Sequence, residues 1–385
     1  MPKQKSPDRS GKMALLVGTR KGGFFLRTSR ARDKWKLEGP FFLGSIIHHM
    51  ILDARDGHTL LMAAIAGHLG PTIFRSTDQG VTWKEASLPP AFPKAAENEK
   101  GEAVSYTFSL WSGHVDEPGI FYAGTSPAGL FRTEDGGNTW EGVTGFNDHP
   151  MRRTWIGPPE YAPPGGGGLH SLQIDPRDPD HIYIALSTGG VFETFDRGKS
   201  WSPLNKGLSA DFMPDPDAEY GHDPHALRIH PLYPDVLYQQ NHTGIYRMDR
   251  EDGRWSRIGD NMPPRVGDIG FPVVLHPRDP QKVWVFPMDG TDVWPRTSPR
   301  GKPAVYGSAD GGQTWQVFRK GLPPRHGYLT VKRHAMVSDR EDPLGIYFGT
   351  SGGEVWGSVD EGKHWRKLVD YLPEVYSLEA VVFTG

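Results

Sequence analysis

The most constraining feature of this chain is a short motif that recurs along its length. The motif reads Ser/Thr-x-Asp-x-Gly-x-x-Trp, where x is any residue. Its clear copies end at Trp83, Trp140, Trp201, Trp315 and Trp365, and weaker copies end at Trp35 and Trp255. The six intervals between the first and last of these tryptophans average 55 residues, and seven such periods equal the 385-residue length. A period of this length indicates the blades of a β-propeller.

Each part of the motif has a mechanical role. The Ser/Thr and Asp side chains accept hydrogen bonds from backbone N–H groups inside a tight turn. The glycine takes a positive φ without steric cost. The tryptophan then enters a strand and buries a large ring between neighbouring sheets. We therefore interpret the motif as structural in every copy.

A second repeat defines the strands within each blade. The segment from His170 to Tyr183 overlays, without gaps, five others: His225 to Tyr238, His334 to Tyr347, Phe271 to Trp284, Ser109 to Tyr122 and His48 to Leu61. Each segment predicts an inner strand, a turn rich in Pro, Asp and Gly, and a second strand. A further strand then leads to the motif, and one more follows it. This pattern predicts four antiparallel strands per blade.

The two ends of the chain predict how the ring closes. The N-terminal region begins with a second strand, Ala14 to Gly18, and the matching first strand lies near the C-terminus at Tyr376 to Ala380. We therefore predict an all-β, seven-bladed β-propeller whose C-terminal strand joins the N-terminal blade. The predicted domain organisation is a flexible tail over residues 1–12 and a single propeller domain over residues 13–385.

Charge and composition limit the classes of partner and metal site that the chain can be expected to have. Lys and Arg number 43 against 46 Asp and Glu, for a net charge of -3. No basic field favours nucleic acid or an anionic membrane, so neither partner is expected. The chain has no cysteine, which excludes disulfides and thiolate metal sites. No apolar signal segment is visible, and the expected location is the cytoplasm.

The predicted starts of the inner strands are rich in histidine. They are Tyr376, His48, Ser109, His170, His225, Phe271 and His334. Four of the seven are histidines, although the whole chain has only 16. Imidazoles from several blades could hold a first-row transition metal ion on the propeller axis, so the predicted metal ligands are His48, His170, His225 and His334. The alternative is that each histidine bonds a neighbouring loop carbonyl. His49 follows His48 directly, and strand alternation predicts that the two point to opposite faces.

Loops at the same end of the channel carry groups suited to a polar ligand. The predicted substrate-binding residues are Arg20, Arg152, Arg153, Tyr376 and His222, because arginine binds anionic groups and aromatic rings stack on sugars. The predicted acid/base carboxylates are Asp223, Asp268 and Glu379. The alternative is that each is an ordinary solvated loop residue.

The turn motif resembles the Asp-box, or BNR, repeat of sialidases, sortilin-type domains and some glycoside hydrolases. Segments such as Tyr220 to His225 and Phe286 to Gly290 are also similar to bacterial BNR-repeat proteins described as glycosyl hydrolases. The resemblance implies that the motif lies on the outer hairpin, away from the ligand site. Sialidases of this type open on an Arg-Ile-Pro-like motif, whereas this chain has Gly18-Thr-Arg-Lys21 there. A sialidase site is therefore not predicted.

Three functions are consistent with these patterns. The first is a carbohydrate-active protein, either glycoside hydrolase-like or glycan-binding, with its pocket at the channel mouth. The second is a metal-dependent enzyme that uses the axial histidines and keeps an open position for a small molecule. The third is a non-catalytic interaction scaffold. The sequence does not identify a substrate.

Overall fold

The computed structural model describes residues 12–67, 70–95, 101–157, 167–211, 213–289 and 296–384. The tail predicted over residues 1–12 lies outside these ranges except for Lys12. The loop residues predicted between 158 and 166 and between 290 and 295 also lie outside them.

The strands form seven four-stranded antiparallel sheets, as predicted. From the inner to the outer strand, the first blade consists of β28 (Val375–Val382), β1 (Met13–Thr19), β2 (Gly22–Thr28) and β3 (Trp35–Phe41), and the second of β4 (Ile46–Leu52), β5 (Leu60–Ile65), β6 (Pro71–Ser76) and β7 (Lys84–Glu85). The third blade consists of β8 (Tyr106–Ser112), β9 (Phe121–Ser126), β10 (Leu130–Thr133) and β11 (Glu141–Gly142), and the fourth of β12 (Leu169–Asp175), β13 (Asp178–Leu186), β14 (Gly190–Thr194) and β15 (Ser202–Pro203). The fifth blade consists of β16 (Pro224–Ile229), β17 (Val236–Asn241), β18 (Gly244–Asp249) and β19 (Ser256–Arg257). The sixth consists of β20 (Gly270–His276), β21 (Asp279–Pro287), β22 (Val305–Ser308) and β23 (Gln316–Phe318). The seventh consists of β24 (Met336–Ser338), β25 (Ile346–Gly349), β26 (Val355–Ser358) and β27 (Arg366–Val369).

The C-terminal strand closes the ring, as predicted. Strand β28 pairs antiparallel with β1, from Met13 opposite Val382 to Thr19 opposite Val375. Each inner strand also contacts the inner strand of the next blade, and β28 contacts β4 to complete the circle. The first blade is thus built from both ends of the chain, and β28 covers the edge that β1 would otherwise expose.

The recurring turn connects the third and fourth strands of its blade. In the second blade, Ser76 Oγ accepts a bond from Gly80 N at 2.8 Å, and Asp78 Oδ1 accepts one from Thr82 N at 2.9 Å. Gly80 has φ +82°, in the left-handed region that favours glycine. The same bonds recur in the turns centred on Asp135, Asp196, Asp310 and Asp360. The motif is therefore a hydrogen-bonded staple at the outer edge of the blade.

Apolar side chains fill the spaces between neighbouring blades. Trp255 of the fifth blade is 1% exposed and packs in a cluster with Tyr183 and Leu227, from the fourth and fifth blades. Its indole Nε1 donates to Leu204 O of the fourth blade at 2.7 Å. Burying such a ring contributes about 2 to 3 kcal/mol. The tryptophan of the motif thus ties one blade to the next.

Helices are short in the described part of the chain. The α-helices are α1 (Thr144–Asn147) and α2 (Arg152–Trp155), and single 3-10 turns span Arg250–Asp252, Gly259–Asn261 and Pro299–Gly301. Among the described residues, no helix has the length and apolar character that a membrane crossing requires.

Candidate functional site

A β-bulge interrupts the inner strand of six blades close to its start. At this point the ladder to the second strand skips a residue, or two residues in the sixth blade. The skipped residues are Tyr376, His48, Phe108, His170, His225 and the pair Phe271 and Pro272. In the seventh blade, His334 precedes β24 and bridges to Ser377. Bulges redirect side chains and are frequent beside functional sites.

One of these positions corrects the sequence alignment. The gapless overlay matched Ser109 to His170, but the structure places Phe108 there. Tyr122 pairs with Trp111, 11 residues before it, whereas Tyr183 pairs with Gln173, ten before it. The connection between β8 and β9 is therefore one residue longer than the corresponding connection in the fourth blade, and the inner strand of the third blade is shifted by one residue relative to the gapless overlay.

Contacts between distant blades show that these side chains meet at the axis. The Phe108 ring, in the third blade, lies 5.7 Å from the ring of His334, in the seventh. The His49 ring, in the second blade, lies 5.0 Å from His334, and His49 Nε2 is 3.4 Å from Glu379 Oε1. The prediction that His48 and His49 point to opposite faces of the strand is wrong, because the bulge at His48 lets His49 reach the channel as well.

A stack of three rings forms one side of the channel mouth. His48 lies between Tyr106 and Tyr376, with ring centroids 4.4 and 5.4 Å away and interplanar angles of 15° and 9°. Lys332 Nζ lies 4.0 Å from the centroid of Tyr376 and 2.8 Å from Glu374 Oε1. Burial, aided by the nearby Lys332, lowers the pKa of His48 to about 3. This imidazole is therefore neutral and packs as an aromatic ring between the two tyrosines.

Arg333 brings a positive charge into the mouth. Its guanidinium lies 5.0 Å from the centroid of the Phe271 ring, which is a cation–π distance. Burial lowers the Arg333 pKa, and the charges of Asp223 and Tyr106 oppose that effect. Arg333 Nε is buried and has no hydrogen-bond partner among the described residues. A donor held in this way is suited to an oxygen-rich ligand.

Asp223 and two histidines cluster on the opposite side. Asp223 Oδ2 is 3.4 Å from His225 Nε2 and 3.5 Å from His242 Nδ1. His225 Nδ1 lies 2.6 Å from the carbonyl oxygen of Gly270. In the described part of the chain, this trio is the group of His and acidic residues whose ligand atoms lie close enough together to share a metal ion.

The other predicted metal ligands, His48, His170 and His334, are not part of this trio. The rings of Tyr106 and Phe108 separate His48 from His170 and His334. Burial lowers the pKa of both His170 and His334 well below the ordinary histidine value, so these two imidazoles are neutral. The structure therefore lines the channel with the four predicted histidines but does not bring their ring nitrogens to one point.

Two of the three predicted carboxylates face the channel. Asp223 lies at the mouth, and Glu379 lies deeper, where it interacts with Arg228 of the fifth blade. Asp268 instead accepts bonds from Arg257 at 2.9 and 3.1 Å. At the opposite end of the channel, Glu379 and mostly apolar groups line a cavity of about 610 Å³.

The predicted substrate-binding residues are placed in different surroundings. Tyr376 belongs to the ring stack, and the exposed Arg20 lies 3.7 Å from Glu374 near it. Arg152 is buried, where it bonds Glu102 and the Ala128 carbonyl. His222 is buried and its Nε2 bonds the Ala218 carbonyl at 2.8 Å, whereas Arg153 is exposed in α2.

Several mouth residues were not among the predicted site residues. They are Tyr106, Arg333, His242, Lys332 and Glu374. Arg333 directly precedes the predicted strand start His334, and His242 lies in the turn after a second strand, so both positions follow from the blade repeat. Tyr106 could not be found this way, because the one-residue register error displaced its strand.

Known proteins of similar sequence or structure support the fold. No family model matches the chain. It is 24% identical over 338 residues to an oligoxyloglucan-reducing end-specific xyloglucanase of Emericella nidulans, across 79% of this chain and 38% of that protein. The chain thus spans well under half of this relative's length.

Two solved structures share the fold. The GH74 xyloglucanase of Xanthomonas campestris matches with a TM-score of 0.61 and 19% identity, over 93% of this chain and 52% of that chain. The structure of YCF48 bound to D1 peptide matches with a TM-score of 0.52 and 13% identity, over 99% and 96% of the two chains. At these identities the likeness concerns the fold alone.

Proposed function

We propose that this chain is a carbohydrate-active protein that binds a glycan across the channel mouth at the strand-start end. The observation that carries the proposal is the ring stack of Tyr106, His48 and Tyr376 together with the charged groups Arg333 and Asp223 at the same mouth. Similarity to xyloglucanases over most of the chain supports the same ligand class.

The chemistry of a sugar suits this surface. A pyranose presents C–H groups on its face and hydroxyls around its edge. The two tyrosines that enclose the neutral His48 offer apolar ring surface, and Arg333, Lys332, Asp223 and Glu374 offer donors and acceptors at the same mouth. Binding sites of this kind combine apolar contact with a few placed polar groups.

The test is calorimetric titration of the full chain with xyloglucan oligosaccharides. Replacing Tyr376 by alanine removes one face of the stack, and we expect affinity to fall about tenfold. Tyr371→Ala is the matched control, because Tyr371 is 94% exposed and does not contribute to the stack. Equal losses in the two variants, or no binding of the unmodified chain to a broad glycan panel, would contradict the proposal.

Glycoside hydrolysis is the catalytic form of this proposal. It requires two carboxyl groups on either side of the scissile bond. We expect Asp223→Asn and Glu379→Gln to lower the release of reducing sugar by at least about 100-fold. Asp268→Asn is expected to have a smaller effect, since Arg257 already engages that carboxylate. Unchanged rates in all three variants would exclude these residues as the acids, and no release of reducing sugar by the unmodified chain would leave binding as the function.

A non-catalytic interaction scaffold is the competing proposal. The solved YCF48 structure that matches nearly the whole chain is bound to a peptide, which favours this alternative. It predicts that a specific protein co-purifies with the unmodified chain and is released by substitutions at the mouth, with no glycan bound. Calorimetry with glycans and mass spectrometry of co-purified proteins separate the two proposals.

A further inference from the structure

We propose that Asp223, His225 and His242 form a binding site for a first-row divalent metal ion. Asp223 Oδ2 lies 3.4 Å from His225 Nε2 and 3.5 Å from His242 Nδ1. Ligand atoms bound to a zinc-like ion at 2.0 to 2.2 Å lie about 3.3 Å from one another in tetrahedral geometry. Two of the three distances match this spacing, and all three ligand atoms lie within 4.8 Å of one another.

The hydrogen bond of His225 to the backbone strengthens this inference. The carbonyl oxygen of Gly270 can only accept, so His225 Nδ1, 2.6 Å away, carries the proton. In the neutral ring, Nε2 then directs a lone pair at the Asp223 carboxylate, which is also an acceptor. Two acceptors 3.4 Å apart require a cation or a proton between them. Metal-bound histidines typically donate their second N–H to a carbonyl or carboxylate in this way.

The backbone fixes all three ligands. His225 is the bulged residue of β16, and Asp223 directly precedes that strand. His242 lies in the turn between β17 and β18, and its backbone N donates to Asp223 O at 2.9 Å. Thr188 N of the fourth blade lies 3.3 Å from Asp223 Oδ1. Strand pairing within the fifth blade thus assembles the site, and a hydrogen bond from the fourth blade holds Asp223 in place.

The donor set and the surrounding charge indicate which ion and which ligand would fit. Two imidazoles and one carboxylate favour Zn²⁺, Fe²⁺, Co²⁺ or Mn²⁺ over Ca²⁺ and Mg²⁺. Three protein ligands leave a coordination position open for a further ligand. Arg333 also interacts with Asp223 from the channel side. A small anion, such as a carboxylate, would be held jointly by the ion and this guanidinium.

The test is titration of the chelator-treated full chain with Co²⁺, followed by its visible absorption, with Zn²⁺ as competitor. We expect one Co²⁺ per chain, with displacement by Zn²⁺. His242→Ala is the main variant, because this side chain is partly exposed and its loss leaves no buried cavity. We expect it to weaken Co²⁺ binding at least about tenfold. Asp223→Asn, which keeps the size of the side chain, is the second variant and should do the same.

The matched control is His58→Ala, because His58 also lies beside a carboxylate, 3.6 Å from Asp56 Oδ2, but on an exposed turn. Melting temperatures of all variants verify that they remain folded. Co²⁺ binding that is equal in all variants, or no Co²⁺ spectrum in the unmodified chain, would overturn the proposal and leave a hydrogen-bonded His–Asp–His cluster. Because the readout is metal spectroscopy, the result is independent of whether the chain binds or cleaves a glycan.

Discussion

At the residue scale, the outer turn shows how a single carboxylate supports a blade. Asp196 Oδ1 accepts from Ser200 N at 2.9 Å and from Thr194 Oγ1 at 2.7 Å, and the Ser200 hydroxyl donates to Asp196 Oδ2. Burial alone would raise the Asp196 pKa, but these hydrogen bonds outweigh it and lower the pKa to about 2. The ionised form is therefore the one that the folded turn requires.

This pKa predicts a pH-dependent contribution to stability. Because the folded-state pKa lies below the ordinary value of 3.8, the contribution is full above that pH and is lost as the pH falls toward about 2. We expect Asp196→Asn to lower the free energy of unfolding by about 1 kcal/mol at pH 7, as for the loss of a capping side chain. The deficit should shrink toward pH 2. Urea denaturation at several pH values measures it.

The control for this prediction is Asp252→Asn, at an exposed position. We expect it to leave the unfolding free energy within about 0.5 kcal/mol of the unmodified chain at every pH. A pH-independent deficit in Asp196→Asn would mean that the carboxylate charge is not what stabilises the turn.

At the element scale, strand β28 joins the C-terminal part of the chain to the first blade. It supplies the inner strand of the first blade, and its Leu378 is buried in a core cluster that joins the first and seventh blades. A second link between these blades is the buried pair of Arg32 and Asp339, with Arg32 Nη1 3.0 Å from Asp339 Oδ2. Ring closure therefore depends on pairing, apolar packing and one buried ion pair.

Deleting residues 376–385 is expected to unfold the whole ring. The deletion removes most of β28, exposes the paired edge of β1, and leaves both neighbouring blades without a partner surface. We expect loss of the cooperative thermal transition seen by circular dichroism. Deleting residues 1–11, which precede β1, is the control and should leave the melting temperature unchanged. A cooperative transition retained in the 376–385 deletion would show that β28 is not needed for closure.

At the scale of the whole molecule, the beginning and the end of the described chain lie side by side. Phe383 N donates to Lys12 O at 3.2 Å, so a short linker can join them. New ends can then be opened elsewhere by circular permutation, which is tolerated at exposed loops. Opening at Gly253 cuts within the fifth blade, whereas opening at Gly44 cuts between the first and second blades.

The two permutants test whether a shared blade stabilises the ring. With ends at Gly253, one blade is still assembled from both ends of the chain. With ends at Gly44, every blade comes from one continuous segment, and only packing between blades closes the ring. We therefore expect the Gly253 permutant to melt near the natural chain and the Gly44 permutant to melt several degrees lower, by about 4 °C or more. Equal melting temperatures would contradict this role for the shared blade.

The sequence by itself determined the repeat, the four strands per blade and the ring closure. These features depend on contiguous residues: a turn such as Ser76 to Trp83 forms from its own side chains, and strand alternation follows from neighbouring positions. The same local logic identified His225 and Asp223 as mouth residues, because each precedes or opens an inner strand.

Only the tertiary structure decided which of these side chains meet. The bulges at the strand starts let both His48 and His49 reach the channel, and one extra residue between β8 and β9 placed Phe108 where Ser109 was expected. The trio of Asp223, His225 and His242 also depends on pairing between strands. The physical reason is that a bulge or a one-residue shift changes where every nearby side chain points, while leaving the local sequence pattern almost unaltered.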